Sequence, residues 1–155
     1  EEDEKKTQIS RTGVRRYHDN SSLLKANLWL VCRDVIILDV LKTLISHDAY
    51  FWDGNVSAWP NYLPAYLHAF PVIVRSARLL ISLSAVYIAL QAIFALGPLF
   101  FVGMIGPRYI GARGEAWMYP DSFGSFDNVL DKGLAGWWGG WWHQSFRYAF
   151  ESSSR

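Results

Sequence analysis

Apolar and polar residues are gathered into blocks along this chain. Residues 79–106, LLISLSAVYIALQAIFALGPLFFVGMIG, contain no charged side chain. A helix needs about 20 mostly apolar residues to cross a bilayer core of roughly 30 Å. This run exceeds that and leaves room for tilt. Gln91 is its one strongly polar side chain, and Pro98 is the expected kink. A helix buried in a soluble domain is shorter and keeps a polar face, so the pattern predicts a membrane span. Residues 23–46, LLKANLWLVCRDVIILDVLKTLIS, predict a second helix, broken by Arg33, Asp34, Asp39 and Lys42. Charges inside a span face protein or water rather than lipid. Arg33 and Asp34 are neighbours and are expected to point apart, whereas Asp39 and Lys42 are three apart and are expected to pair. Both a spanning and an interfacial placement fit this segment.

Polar blocks separate these helices. Residues 1–22 are charged and rich in Ser, Asn and Asp, and read as a polar N-terminal loop or tether at a membrane face. Its EEDEKK start, without a methionine, reads as a fragment or processed product. Residues 47–64 hold the breakers Asp53-Gly54 and Trp59-Pro60-Asn61, with aromatic side chains suited to the headgroup level. Residues 65–74 are apolar and short, an approach to the long span. Arg75 and Arg78 precede that span and Arg108 and Arg113 follow it, so basic residues balance and leave the orientation open. Residues 107–133 form a polar loop, and residues 134–150 predict a third helix. The expected architecture is therefore all-α: polytopic transmembrane helices, with an interfacial or membrane-embedded Trp/Gly/His helix. The domain division is 1–22 and 23–155.

Composition sharpens this in two places. Eight tryptophans in 155 residues suit a chain that meets both lipid and water. A net charge of +1 offers no basic excess for nucleic acid. Cys32 is the single cysteine, so no internal disulfide forms. His18, His47 and His68 lie in polar or loop contexts without metal-ligand spacing, and no metal site is expected. Nucleophile-elbow, phosphate-loop and dinucleotide fingerprints are absent from the sequence.

The candidate chemistry lies in Leu134-Ala-Gly-Trp-Trp-Gly-Gly-Trp-Trp-His-Gln-Ser-Phe-Arg147. On a regular helix Gly136, Gly139, Gly140, His143 and Arg147 fall near one face. That face has no side-chain bulk before the imidazole, so a helix or a ligand chain can approach its backbone. Trp137, Trp141 and Trp142 then fall on other flanks, toward the membrane interface. Each glycine inside a helix costs about 1 kcal/mol relative to alanine. Three in five residues point to packing or binding. His143 reads either as an imidazole that accepts a proton from a substrate hydroxyl, or as an interfacial histidine that packs and hydrogen-bonds.

Residues Trp137 to Arg147 resemble the Phe-Trp-Gly-Arg-Phe-Trp-His-Gln-x-Phe-Arg motif of fungal wax synthase-like proteins, members of the membrane-bound O-acyltransferase superfamily. The preceding Trp117, Pro120, Phe123 and Gly124 are similar to the pattern ahead of that motif, and the Arg33-Asp34…Asp39 helix is similar to the first helices there. The likeness covers most of residues 23–150. Gly140 stands where the motif has arginine, and Trp137 and Trp141 stand at its phenylalanines.

The resemblance implies a multi-pass enzyme of the endoplasmic reticulum, present here in part. It implies transfer of an acyl group from acyl-CoA, a co-substrate, to a fatty alcohol, a sterol or a secondary-metabolite hydroxyl, with no other cofactor. By the same resemblance His143 is the candidate catalytic base or substrate-positioning residue. Trp138, Gly139, Trp142, Gln144 and Arg147 are candidate substrate-binding residues. Gln144 would donate to a carbonyl oxygen. Arg147, and more loosely Arg108 or Arg113, would hold CoA phosphates. The competing expectation is a non-catalytic membrane subunit or truncated pseudoenzyme that binds lipid or a partner helix through the Gly/Trp face. Oligomeric state is left open.

Overall fold

A polar start, a capped amphipathic helix and one long apolar helix account for most of the architecture. A computed structural model describes residues 7–55, 57–142 and 144. The chain is mostly helical, as expected. One element departs from the all-α expectation. The N-terminal segment holds an antiparallel hairpin, β1 (Thr7–Ile9) and β2 (Arg15–Tyr17), with Gln8 opposite Arg16. Its turn closes through Gly13 N–H to the Ser10 carbonyl, 2.9 Å, with Gly13 at φ 80°. Positive φ is cheap only for glycine.

Helix α1 covers Asn20–Ser46. Asp19 stands just before it and its carboxylate accepts from the Ser22 amide and hydroxyl at 2.8 and 2.9 Å, which satisfies amides that a helix start leaves unbonded. A short turn, α2, covers Tyr50–Asp53. Helix α3 runs Pro71–Pro98, with proline at its first position, where no N–H is required. It begins eight residues before the charge-free run, so Arg75 and Arg78 lie within the helix and do not merely flank it. Pro98 has no N–H to give the preceding turn. Downstream of it, Leu99–Ile105 continue as a wide π-type helix, with Gly106 N–H bonded five residues back to the Phe101 carbonyl at 2.9 Å. Three short helices follow: α4 (Pro107–Ile110), α5 (Asp127–Lys132) and α6 (Leu134–Gly136).

Among the described residues one helix is long and apolar enough to cross a membrane: Pro71–Ile105, 35 residues. Only 6% of its most apolar window is buried. The core helix of a soluble domain would be mostly buried, so this helix presents its side chains outward, as a lipid-facing helix does. α1 does not qualify; it carries Lys25, Arg33, Asp34, Asp39 and Lys42. Asp39 and Lys42 are both exposed, and no ion pair joins them among the described residues. Arg33 and Asp34 do not point apart. The long guanidinium folds back, and its Nε and Nη2 donate to Asp34 Oδ1 at 2.9 and 2.7 Å.

The described residues fall in two compact units. One runs up to Leu30 and resumes from Ile93, and the other is Val31–Ala92. In the first, Tyr17, Leu23, Val102 and Ala116 form a small core. Asn20 ties α1 to it by accepting from the Ala116 amide at 3.0 Å. In the second, the loop after α1 is held on α3 by a buried ion pair. Arg78 Nε and Nη2 donate to the two Asp48 oxygens at 2.7 and 2.8 Å. Nη2 also donates to the Ala58 carbonyl at 2.7 Å, and the guanidinium lies 4.5 Å from the Tyr50 ring centroid. Tyr62 donates its hydroxyl to Asp48 at 3.0 Å.

Burial pushes the Asp48 carboxyl up, but the hydrogen bonds from Arg78, the Tyr50 amide and Tyr62 outweigh it and leave Asp48 below its ordinary value. Burial and then the bond to Asp48 push Tyr62 up to about 12. A depressed carboxyl stabilises the fold above the ordinary Asp value, and that contribution is lost as pH falls through the depressed one. A raised phenol stabilises below the ordinary Tyr value and is lost as pH rises toward about 12. Arg78→Ala leaves Asp48 buried without its cation. It should cost about 3–5 kcal/mol, read from thermal unfolding of the detergent-solubilised protein. A loss near zero would show that the pair does not organise this unit. Tyr62→Phe should shrink the alkaline limb of the stability profile, and the acid limb should persist but weaken, because Arg78 and the Tyr50 amide still donate to Asp48.

Candidate functional site

The Trp/Gly segment is not the regular helix expected over residues 134–150. Gly133, at φ 56°, precedes α6, and Trp137–Trp141 then form a π-type turn closed by Trp142 N–H to the Trp137 carbonyl at 2.8 Å. The turn ends at the extended Trp142, so Trp142 does not continue the glycine face. His143 and Arg147 lie outside the described residues.

The tryptophans pack together; they do not fan outward. Trp137 and Trp141 meet edge to face at 4.4 Å, and Trp137 stacks on Trp142 at 5.9 Å and 17°. Phe123 and Phe126 close on the buried Trp141 at 5.9 and 5.4 Å. Trp138 is the exception, 64% exposed. Gln144 is buried, and its Nε2 donates to the Trp142 carbonyl at 3.1 Å. One of its two amide hydrogens is therefore engaged by the backbone.

The three glycines divide between packing and open space. A methyl on Gly136 would overlap the Asn128 carbonyl, and one on Gly140 would overlap the Asn128 side chain. Gly139 has nothing within 4 Å of that position. The Asn128 amide fastens the assembly: it donates to the carbonyls of Ser125 at 2.8 Å and Thr12 at 3.0 Å, and reaches that of Gly140 at 3.4 Å. Ser125 N–H donates to Thr12 and Gly124 N–H to Trp141, at 2.8 and 2.9 Å. A methyl on Gly124 would overlap the Gly140 and Thr12 carbonyls. Arg15 Nε meets Asp121 Oδ2 at 3.1 Å; the arginine is exposed and the carboxylate partly buried, which keeps the value of the pair modest. Burial pushes the Asp121 carboxyl up, with Arg15 pulling against it.

Beside this turn lies a cavity of about 460 Å³. Gly136, Gly139 and Gly140 form part of its wall, Arg11 and Thr12 come from the hairpin turn, and Lys132 ends α5. Arg11 and Lys132 are exposed, and neither joins an ion pair among the described residues. Of the predicted substrate-binding residues that are described (Trp138, Gly139, Trp142 and Gln144), only Gly139 lines this cavity. Arg108 and Arg113 are exposed and do not line it. Arg11, Asn128 and Lys132 were not legible as site residues. They lie in polar segments, and their approach to the glycines depends on how the hairpin docks. No grouping of His, Cys, Asp and Glu suited to a metal ion occurs among the described residues.

In the other unit Asp34 is fully buried. Arg33 serves its Oδ1 and also donates to Gln91 at 3.1 Å, but among the described residues no donor reaches Asp34 Oδ2.

No protein-family model, no curated protein and no solved structure matches this chain.

Gly136→Ala should cost about 1–3 kcal/mol or more, because the obstructing atom is backbone. Gly139→Ala should be neutral within about 0.5 kcal/mol. Near-UV circular dichroism of the tryptophan cluster and thermal melts read both; equal effects would refute the division of roles.

Proposed function

We propose that this chain carries the Trp/Gly/His region of a membrane-bound O-acyltransferase of the wax synthase type. In this reading the acyl group of acyl-CoA passes to the hydroxyl of a fatty alcohol, sterol or secondary metabolite. The observation that carries it is the Trp137–Arg147 motif, together with the open wall at Gly139, where a substrate chain can come close to the backbone. The long apolar helix supports a membrane setting for such substrates. Multi-pass insertion and residence in the endoplasmic reticulum belong to the same proposal. So does a spanning or interfacial α1, whose Leu28, Trp29, Val35, Ile36 and Val40 are exposed.

The chemistry is compact. His143, as general base, takes the hydroxyl proton while the oxygen attacks the thioester carbonyl. A C–O bond forms, donors steady the oxyanion, the C–S bond breaks, and the CoA thiolate leaves and takes up the proton. Trp138 and Trp142 offer apolar area to the acyl chain, and Arg147 offers charge to the CoA phosphates.

One observation favours a second reading, a non-catalytic module that binds lipid or a partner. Gly136, Gly140 and Gln144 are committed to packing and backbone bonds, so they serve the fold before any substrate.

The deciding experiment incubates microsomes holding the chain with labelled acyl-CoA and a panel of fatty, sterol and terpenoid alcohols. Ester above the empty-vector level is expected, reduced by about 10²–10⁴-fold in His143→Ala, the usual contribution of a general base. Ester unchanged in His143→Ala would remove that residue from the chemistry. No ester with any alcohol would leave the binding reading standing.

A further inference from the structure

We infer that the glycine-walled cavity beside the tryptophan cluster is a binding site for a phosphate group, with Arg11 and Lys132 as its two cationic ligands. This goes beyond acyl transfer and stands whether or not the chain catalyses it. The cavity brings together a guanidinium from the hairpin turn and an ammonium from the end of α5. Among the described residues no carboxylate lines it. The nearest acids on α5 are otherwise placed. Asp127 accepts from the Ser125 hydroxyl at 2.6 Å, and Asp131 is exposed and outside the lining.

Two cations with no ion-pair partner among the described residues suit an anion that carries more than one negative charge. A carboxylate satisfies one of them, whereas a phosphomonoester, with charge near −2 and three acceptor oxygens, satisfies both. Arginine supplies a fork for paired oxygens and lysine a point charge. Gly139 leaves that stretch of wall open, so the anion can come close to the backbone. A cavity of about 460 Å³ holds a phosphate and part of the organic group it is attached to. That group is either a lipid glycerol or a soluble metabolite; the phosphate is common to both.

The test uses the full chain in neutral detergent micelles, with inorganic pyrophosphate as the soluble probe and phosphatidic acid doped into the micelles as the lipid probe. Phosphatidylcholine micelles are the blank. Binding is read by calorimetry and by emission of the tryptophan cluster that adjoins the cavity. Saturable binding of at least one probe is expected. Arg11→Gln and Lys132→Gln should each weaken it by about tenfold or more. Gly139→Val, which places its side chain in the open space, should weaken it without altering near-UV circular dichroism. Lys42→Gln, an equal charge change elsewhere, should leave it intact. Binding of both probes marks a general phosphate site, and binding of phosphatidic acid alone marks a lipid headgroup site. Binding of neither probe would overturn the proposal. So would a loss in Lys42→Gln equal to that in the cavity variants, which would reduce the effect to net charge.

Discussion

The Asp48–Arg78 pair is the constraint on which the Val31–Ala92 unit depends. An arginine within a long apolar helix is costly unless its charge is answered. Here the answer comes from one residue in a turn-rich loop, which meets the guanidinium with both carboxylate oxygens. The Ala58 carbonyl, the Tyr50 ring and the Tyr62 hydroxyl join the same pair, so several parts of the loop converge on one side chain. A buried pair of this kind adds little net stability against an apolar replacement, but it is very sensitive to losing one partner. Its effect is therefore specificity: the loop has one place to lie. The charge-free run begins at the next residue, Leu79.

The other unit is held by close backbone approach and uses almost no charge. Gly13 lies against Ser125, Gly124 against the Thr12 and Gly140 carbonyls, and Gly136 against the Asn128 carbonyl. Each contact has room only because no side chain intervenes. The Asn128 amide then supplies donors where three carbonyls converge. The Thr12 and Ser125 carbonyls also take backbone amides, from Ser125 and Asn128, so the asparagine side chain adds second donors at the crossing of hairpin, loop and turn, each worth about 1 kcal/mol. The aromatic cluster covers the junction, with Trp141 at its centre.

What was legible in the sequence follows from the range of each interaction. The two long helices were readable because length and apolarity are local properties, and α1 begins within three residues of its expected start. The early start of α3 was obscured by Arg75 and Arg78, whose charges read as a boundary until Asp48 was placed beside Arg78. The Arg33–Asp34 contact was missed because helical geometry describes Cβ directions, and a four-bond side chain can fold back past them. The hairpin was hidden by its polar composition. Strand pairing there depends on partners six to ten residues away and on a glycine turn whose docking surface lies more than a hundred residues on.

The glycine-rich turn shows most clearly what a motif leaves undecided. Helical spacing grouped Gly136, Gly139 and Gly140 on one face, and the structure does set all three along one cavity wall. Their roles nevertheless differ, because what decides them is the neighbour each would strike. Asn128 stands against the first and the last, and nothing stands against the middle one. The two packed glycines fix where the wall lies, and the open one leaves room in front of it. The π-type turn contributes to the same end: an α-helical turn holds fewer residues, and the wider ring accommodates adjacent glycines and ends at the extended Trp142. The cavity is thus a consequence of how the turn is packed, and its charge comes from residues that the motif does not contain.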